Sequence, residues 1–115
     1  MSKRDERLRL VHMLEAAEKA AFHVRDRTRE EFDENEILQL ALVRLLEVIG
    51  EAAAHVPTAL QEQIPEIPWP DVVNMRHRLI HGYDRVDLNV VWQTLQDDIP
   101  FLVDALGRAV KGRSA

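Results

Sequence analysis

The sequence predicts an all-α fold, an antiparallel bundle of four to five helices, with residues 1–115 forming a single domain. Three observations point there. Apolar residues recur at +3/+4 spacing along almost the whole chain, the period of a helix face. No stretch alternates apolar and polar residues with β-branched enrichment, and no Asn-Gly or Asp-Gly turn occurs. The composition, 46% hydrophobic and 30% charged over 115 residues, suits one ordinary core rather than a disordered chain.

The first helix carries the stripe Leu10, Leu14, Ala17, Ala21 and Val24. A charged connection follows from Asp26 to Glu36, in which Thr28 and Glu31 have the spacing of a capping box. Residues 35–54 form a second helix, started by Asp33 or Asn35. Ile37, Ala41, Leu45, Val48 and Ala52 make one apolar stripe on it, and Leu38, Leu42, Leu46, Ile49 and Ala53 another. So wide an apolar arc predicts burial against several neighbours, and a dimer is a reasonable expectation rather than a deduction. Thr58 with Gln61 predicts a short helix ending at Ile64. Three prolines in Pro65-Glu66-Ile67-Pro68-Trp69-Pro70 exclude regular helix, and Pro70 fits the first turn of the next one. That helix runs to about His81 and stops at Gly82. Asp87 caps a last helix with the stripe Leu88, Trp92, Leu95, Ile99, Leu102, Leu106 and Ala109, kinked or broken near Pro100. From about residue 110 the chain reads as a flexible tail.

Composition also excludes functions. Without cysteine there are no disulfides, thiolate metal sites or cysteine nucleophiles. Ser2 and Ser114 are the only serines, so a serine triad has no support. No apolar run approaches the roughly 20 residues of a membrane span. The charged opening is unlike a signal peptide, so a cytoplasmic location is expected. A net charge of −5 argues against general duplex binding by a uniformly basic surface, while leaving room for a local basic site.

One stretch differs in kind. Arg76, His77, Arg78, His81, Tyr83 and Arg85 place three arginines, two of five histidines and the single tyrosine together at a helix end. On an ideal helix Arg76 and His81 lie about 140° apart around the axis and roughly 7.5 Å along it. A long arginine and a histidine at the terminus could still converge on a phosphate-sized group. By pattern alone the cluster also reads as an ordinary helix end, where the dipole favours basic residues. His77 and His81, four apart, suggest a shared metal ion, but no third ligand is evident, and no metal or other cofactor is expected.

The run Arg76-His77-Arg78-Leu79-Ile80-His81-Gly82-Tyr83 resembles the Arg-x4-His-x-Tyr signature of HepT-like toxins, a branch of the HEPN ribonuclease superfamily. Glu47-Val48-Ile49-Gly50-Glu51-Ala52 is similar to the family's Ile-Gly-Glu-Ala element. Pro65-Glu66-Ile67-Pro68-Trp69 and Val86-Asp87-Leu88-Asn89-Val90-Val91-Trp92 resemble its runs on either side of the motif. The resemblance implies a homodimeric HEPN bundle with metal-independent endoribonuclease activity on tRNA or mRNA. It implies an MNT-type nucleotidyltransferase antitoxin that silences the toxin by transferring AMP to Tyr83. Carried over residue by residue, His81 and Arg76 are catalytic and Tyr83 is the modified residue. His77 stands where the superfamily often has Asn.

Those residue types suit the chemistry. Histidine titrates near neutrality and serves as acid or base, and arginine stabilises charge developing on a phosphorane. His77, Arg78 and Arg85 are candidate auxiliary RNA contacts. Glu47 and Glu51, one turn apart, are candidates to orient Arg76 or Arg78. The alternative is an inactive interaction module that binds a nucleotidyltransferase or RNA without cutting.

Overall fold

In the computed structural model, which describes residues 2–80 and 85–112, Ser2 opens helix α1 (Lys3–Val24). The Ser2 hydroxyl accepts from the Asp5 N–H, and the Asp5 carboxylate accepts from the Ser2 N–H. The buried face of α1 is Leu10, Met13, Ala16, Ala17, Ala20 and Val24. Leu14 and Ala21, expected in the stripe, sit half-buried at its edge. The three buried alanines let a neighbouring backbone come close. Asp26, at φ 61°, turns the chain in the left-handed region that Asp tolerates. Helix α2 (Arg29–Asp33) then starts with the capping box that Thr28 and Glu31 predict.

Helix α3 (Glu36–Ala54) packs along α1 and is capped by Asn35, not Asp33; the Asn35 side chain accepts from the Leu38 N–H at 3.0 Å. The stripe Leu38–Leu42–Leu46–Ile49–Ala53 is buried, as a core-facing helix requires. The other stripe is not: Ile37 is 80% exposed, Ala41 is exposed, and Leu45, Val48 and Ala52 are half-buried. Helix α4 (Thr58–Glu62) has Pro57 before it and no side-chain cap, so Thr58 is its first residue rather than its cap.

The segment expected as one helix from Pro70 to His81 is two short ones, α5 (Trp69–Val73) and α6 (Met75–Leu79), joined at Asn74 (φ −89°, ψ 21°). The bend lets this segment wrap onto α3 at Gly50. A Cβ there would lie 3.0 Å from both the Met75 Cβ and the Val72 carbonyl oxygen. The buried Trp69 indole N–H donates to the Ile64 carbonyl at 3.0 Å and anchors the entry to α5. Helix α6 ends at Leu79, earlier than expected, because Ile80 is extended and forms an antiparallel bridge with Val86. The Asp87 N–H donates to the Leu79 carbonyl at 2.8 Å and reinforces that ending. Gly82, the expected terminator, lies outside the described residues.

Asp87 caps α7 (Leu88–Gln93) by accepting from Asn89 and Val90, as expected. The disturbance expected near Pro100 takes the form of a π turn, Thr94–Asp98, before α8 (Ile99–Lys111). Pro100 has no N–H for the Gln96 carbonyl, and its ring crowds that carbonyl. One widened turn resolves this: the Ile99 N–H donates to Thr94 O, five residues back. The buried Thr94 hydroxyl donates to Val90 O at 2.7 Å. Helix α8 carries on through Lys111 with Val110 buried, beyond the start expected for the tail.

The core lies between α1, α3 and the α7–α8 rod. Met13, Leu42, Leu46, Ile49, Leu95 and Ile99 are almost completely buried there, and Met75 and Leu79 seal it from the α6 side. Phe32 and Trp92, 5.4 Å apart, close one end. Among the described residues the secondary structure is helical apart from the isolated bridge, and no helix is long and apolar enough to cross a membrane.

Candidate functional site

Successive positions on α6 project about 100° apart, so Arg76 and Arg78 leave the helix on nearly opposite sides. Arg76 turns toward α3, where its Nη1 lies 3.5 Å from Glu47 Oε2. The Glu47 side chain is 18% exposed and that of Arg76 73% exposed. A half-hidden carboxylate thus tethers a guanidinium that reaches into solvent. One long contact engages one of its five donors and leaves geometry for a second anion to bind bidentately.

Glu47, Gly50, Glu51, Ala54, Val73 and Arg76 line a cleft of about 180 Å³ between α3 and the α5–α6 bend. Gly50 shapes it, because only a residue without a side chain lets α5 and α6 come so near α3. Glu51 pairs with Arg44 at 3.2 Å rather than with an arginine of α6. The cleft is lined by two carboxylates and one guanidinium, so an incoming phosphate competes with Glu47 for Arg76.

Arg78 points the other way. Its Nη2 bonds to Asp98 Oδ2 at 3.0 Å, tying α6 to the π turn. That pair borders a second groove of about 440 Å³, floored by Val72, Met75 and Leu102, with Phe101 on its wall. The structure therefore does not bring Arg78 to Arg76. His77 is exposed on α6, and Arg85 is exposed one residue before the Ile80–Val86 bridge. His81 and Tyr83 lie outside the described residues. The bridge sets Ile80 and Val86 side by side, directly beyond the helix that carries Arg76.

Among the described residues no group of three or more His, Asp or Glu side chains is arranged to hold a metal ion. Sequence reasoning missed Arg44, Asp98 and the packing role of Gly50. The last had a signal, since a lone glycine inside an apolar helical stripe costs about 1 kcal/mol and usually has a packing reason.

Residues 13–109 match the profile of the family described as ribonuclease HepT-like. A Thermococcus cleftensis protein named "Probable ribonuclease HepT" is 39% identical over 100 residues, covering 87% of this chain and 91% of that one. Two Methanocaldococcus jannaschii proteins, each designated a candidate RNase, are similar. One is 35% identical over 87% of this chain and 92% of its own length. The other is 36% identical over 96% and 92%. No solved structure matches the chain significantly.

Proposed function

The chain belongs to the HepT-like ribonuclease family, and from that premise we propose that it is a metal-independent endoribonuclease, the toxin of a HEPN/MNT toxin–antitoxin pair in the cytoplasm. The observation that carries the reading is Arg76: an exposed guanidinium on the motif helix, tethered by Glu47 at the mouth of a cleft. In the proposed reaction an RNA phosphate displaces solvent around Arg76. His81 accepts the proton of the adjacent 2′-hydroxyl as its oxygen attacks phosphorus. The bond to the 5′-oxygen breaks, and that oxygen takes a proton from a second acid. The products are a 2′,3′-cyclic phosphate and a 5′-hydroxyl. Arg76 stabilises the charge on the phosphorane, and Glu47 keeps it aimed there.

The second acid is His81 of the partner subunit in a homodimer. The exposed face of α3 supports that assembly: Ile37, Leu40 and Ala41 are followed one turn on by Arg44, which pairs with Glu51 of the cleft two turns further along. A second copy seated on this face buries unpartnered apolar surface and brings two clefts together. AMP transferred to Tyr83, two residues from His81, adds an anion that competes for Arg76 and a base that obstructs RNA. The antitoxin that performs the transfer is a nucleotidyltransferase of the minimal MNT type.

The test is incubation of end-labelled tRNA and mRNA with the purified protein, free of AMP by intact mass, in excess EDTA. Cleavage leaving cyclic-phosphate ends supports the reading. Intact RNA from folded, unmodified protein favours an interaction module that binds RNA or the nucleotidyltransferase without cutting. Cleavage lost only in chelator would point instead to a metal at His77 and His81.

A further inference from the structure

We propose that Phe22, Arg25 and Arg27, at the end of α1, bind single-stranded RNA and lead it toward the motif segment; this rests on the ribonuclease reading above. Phe22 is 63% exposed, on the side of α1 away from its buried alanines. The Arg25 guanidinium carbon lies 5.4 Å from the centre of its ring, and the His23 ring meets it edge-on at 5.3 Å. An aromatic face beside cations is the platform on which unpaired bases stack, while the cations meet the backbone.

Beyond the turn at Asp26, φ 61°, Arg27 is exposed, close enough to the Glu31 carboxylate to favour its charged form. Glu18, one turn before Phe22 on the same face of α1, and Asp26 and Glu30 beyond it are acidic residues that oppose an anion here. Two others are occupied: Glu31 accepts from the Thr28 N–H at 3.0 Å, and Asp33 accepts from Arg29 Nε at 2.8 Å. Arg29 fixes the patch relative to the motif. Its Nη2 donates to Asn89 Oδ1 at 2.6 Å, in the first turn of α7, three residues after the Val86 that pairs with Ile80. The loop that follows the aromatic–arginine surface is thus tied to the start of α7, near the Ile80–Val86 bridge. A protein partner is the competing occupant of an exposed Phe, but the Arg25 guanidinium over the ring, with Arg27 two residues on, favours a polyanion.

The experiment uses the full chain carrying His81→Ala, which leaves RNA uncut, and an unstructured oligoribonucleotide containing 2-aminopurine. Binding is read by anisotropy and stacking by quenching of the 2-aminopurine. Phe22→Ala is expected to weaken binding about tenfold and relieve the quenching, with Phe22→Tyr restoring both. Arg25→Ala with Arg27→Ala should lower the slope of log affinity against log salt by about 1.4. All these side chains are exposed, so folding is unaffected. Unchanged binding in these variants, while Arg76→Ala weakens it, overturns this inference and leaves the ribonuclease reading standing. A shift to smaller oligomers in Phe22→Ala with unchanged RNA affinity also overturns it, assigning the surface to a second copy. If the parent fails to bind RNA and the wild type fails to cut it, both readings fall.

Discussion

Substituting Gly50 by alanine separates local helix preference from the packing that shapes the cleft. Within an isolated helix the change should stabilise by up to about 1 kcal/mol. In this fold the new Cβ lies 3.0 Å from the Met75 Cβ and 3.0 Å from the Val72 carbonyl oxygen. Comfortable carbon contacts are about 3.5–4.0 Å, so α5 and α6 must retreat by roughly 0.5 Å or more. Neither obstacle swings aside, because one is backbone and the other the first side-chain carbon of a fully buried residue. Overpacking of this kind costs about 1–3 kcal/mol, which exceeds the helix gain. The expected net loss is about 1 kcal/mol, a fall in Tm of roughly 3–5 °C by calorimetry. Cleavage should fall further than stability, since Arg76 follows Met75 directly and misplacing a positioning group by about 1 Å can cost a hundredfold. Gly107 is the control: a Cβ there meets nothing within 4 Å, so Gly107→Ala should stabilise by up to about 1 kcal/mol and leave cleavage alone. A Gly50→Ala protein with raised Tm and unchanged cleavage would refute the claim that this approach shapes the site.

Glu47→Ala should leave stability within about 0.5 kcal/mol, because its partner is largely exposed and the contact is long. Cleavage at saturating RNA should drop about tenfold, and an unaltered turnover number would show that Glu47 does not position Arg76. Trp69→Phe removes the donor to Ile64 O and part of a buried ring, costing about 1–3 kcal/mol in a denaturant melt. A negligible change there would mean that α5 is anchored otherwise. The Thr28 N–H bonded to the Glu31 carboxylate holds its pKa below the ordinary glutamate value. The stabilisation is therefore complete above the unfolded-state pKa and disappears as pH falls through the lower folded-state pKa. Amide exchange at Thr28 should accelerate over that acid range relative to Glu31→Gln, in which no carboxylate titrates.

Most of the fold is legible in the sequence because its causes are local. Thr28 and Glu31, Asn35 and Asp87 mark helix starts through hydrogen bonds to residues two or three positions away. Pro100 announces a defect, but the choice between a kink and a π turn depends on how α8 must pack. The bend at Asn74 has no local signal, since its cause is the approach of α5 and α6 to Gly50 on another helix. At the site, the resemblance to the HepT-like signature is what singles out Arg76 and His81, and the pairing of charges is where sequence reasoning stops. Arg78 reaches Asp98 on the π turn, where one extra residue per turn rotates the side chains, and Glu51 goes to Arg44 on its own helix. Such partners are selected by tertiary rotation of whole elements. Likewise, the two apolar stripes of α3 look alike as patterns, and only packing reveals that Ile37 and Ala41 stay open.

The most direct test is single-turnover cleavage of end-labelled RNA in excess EDTA by the wild type, Arg76→Ala and His81→Ala, each shown to be folded and free of AMP. The account predicts cleavage by the wild type, with rates lower by about 10²–10³ in Arg76→Ala and about 10²–10⁴ in His81→Ala. Equal rates in all three, or a wild type that cuts only when a divalent metal is restored, would contradict it.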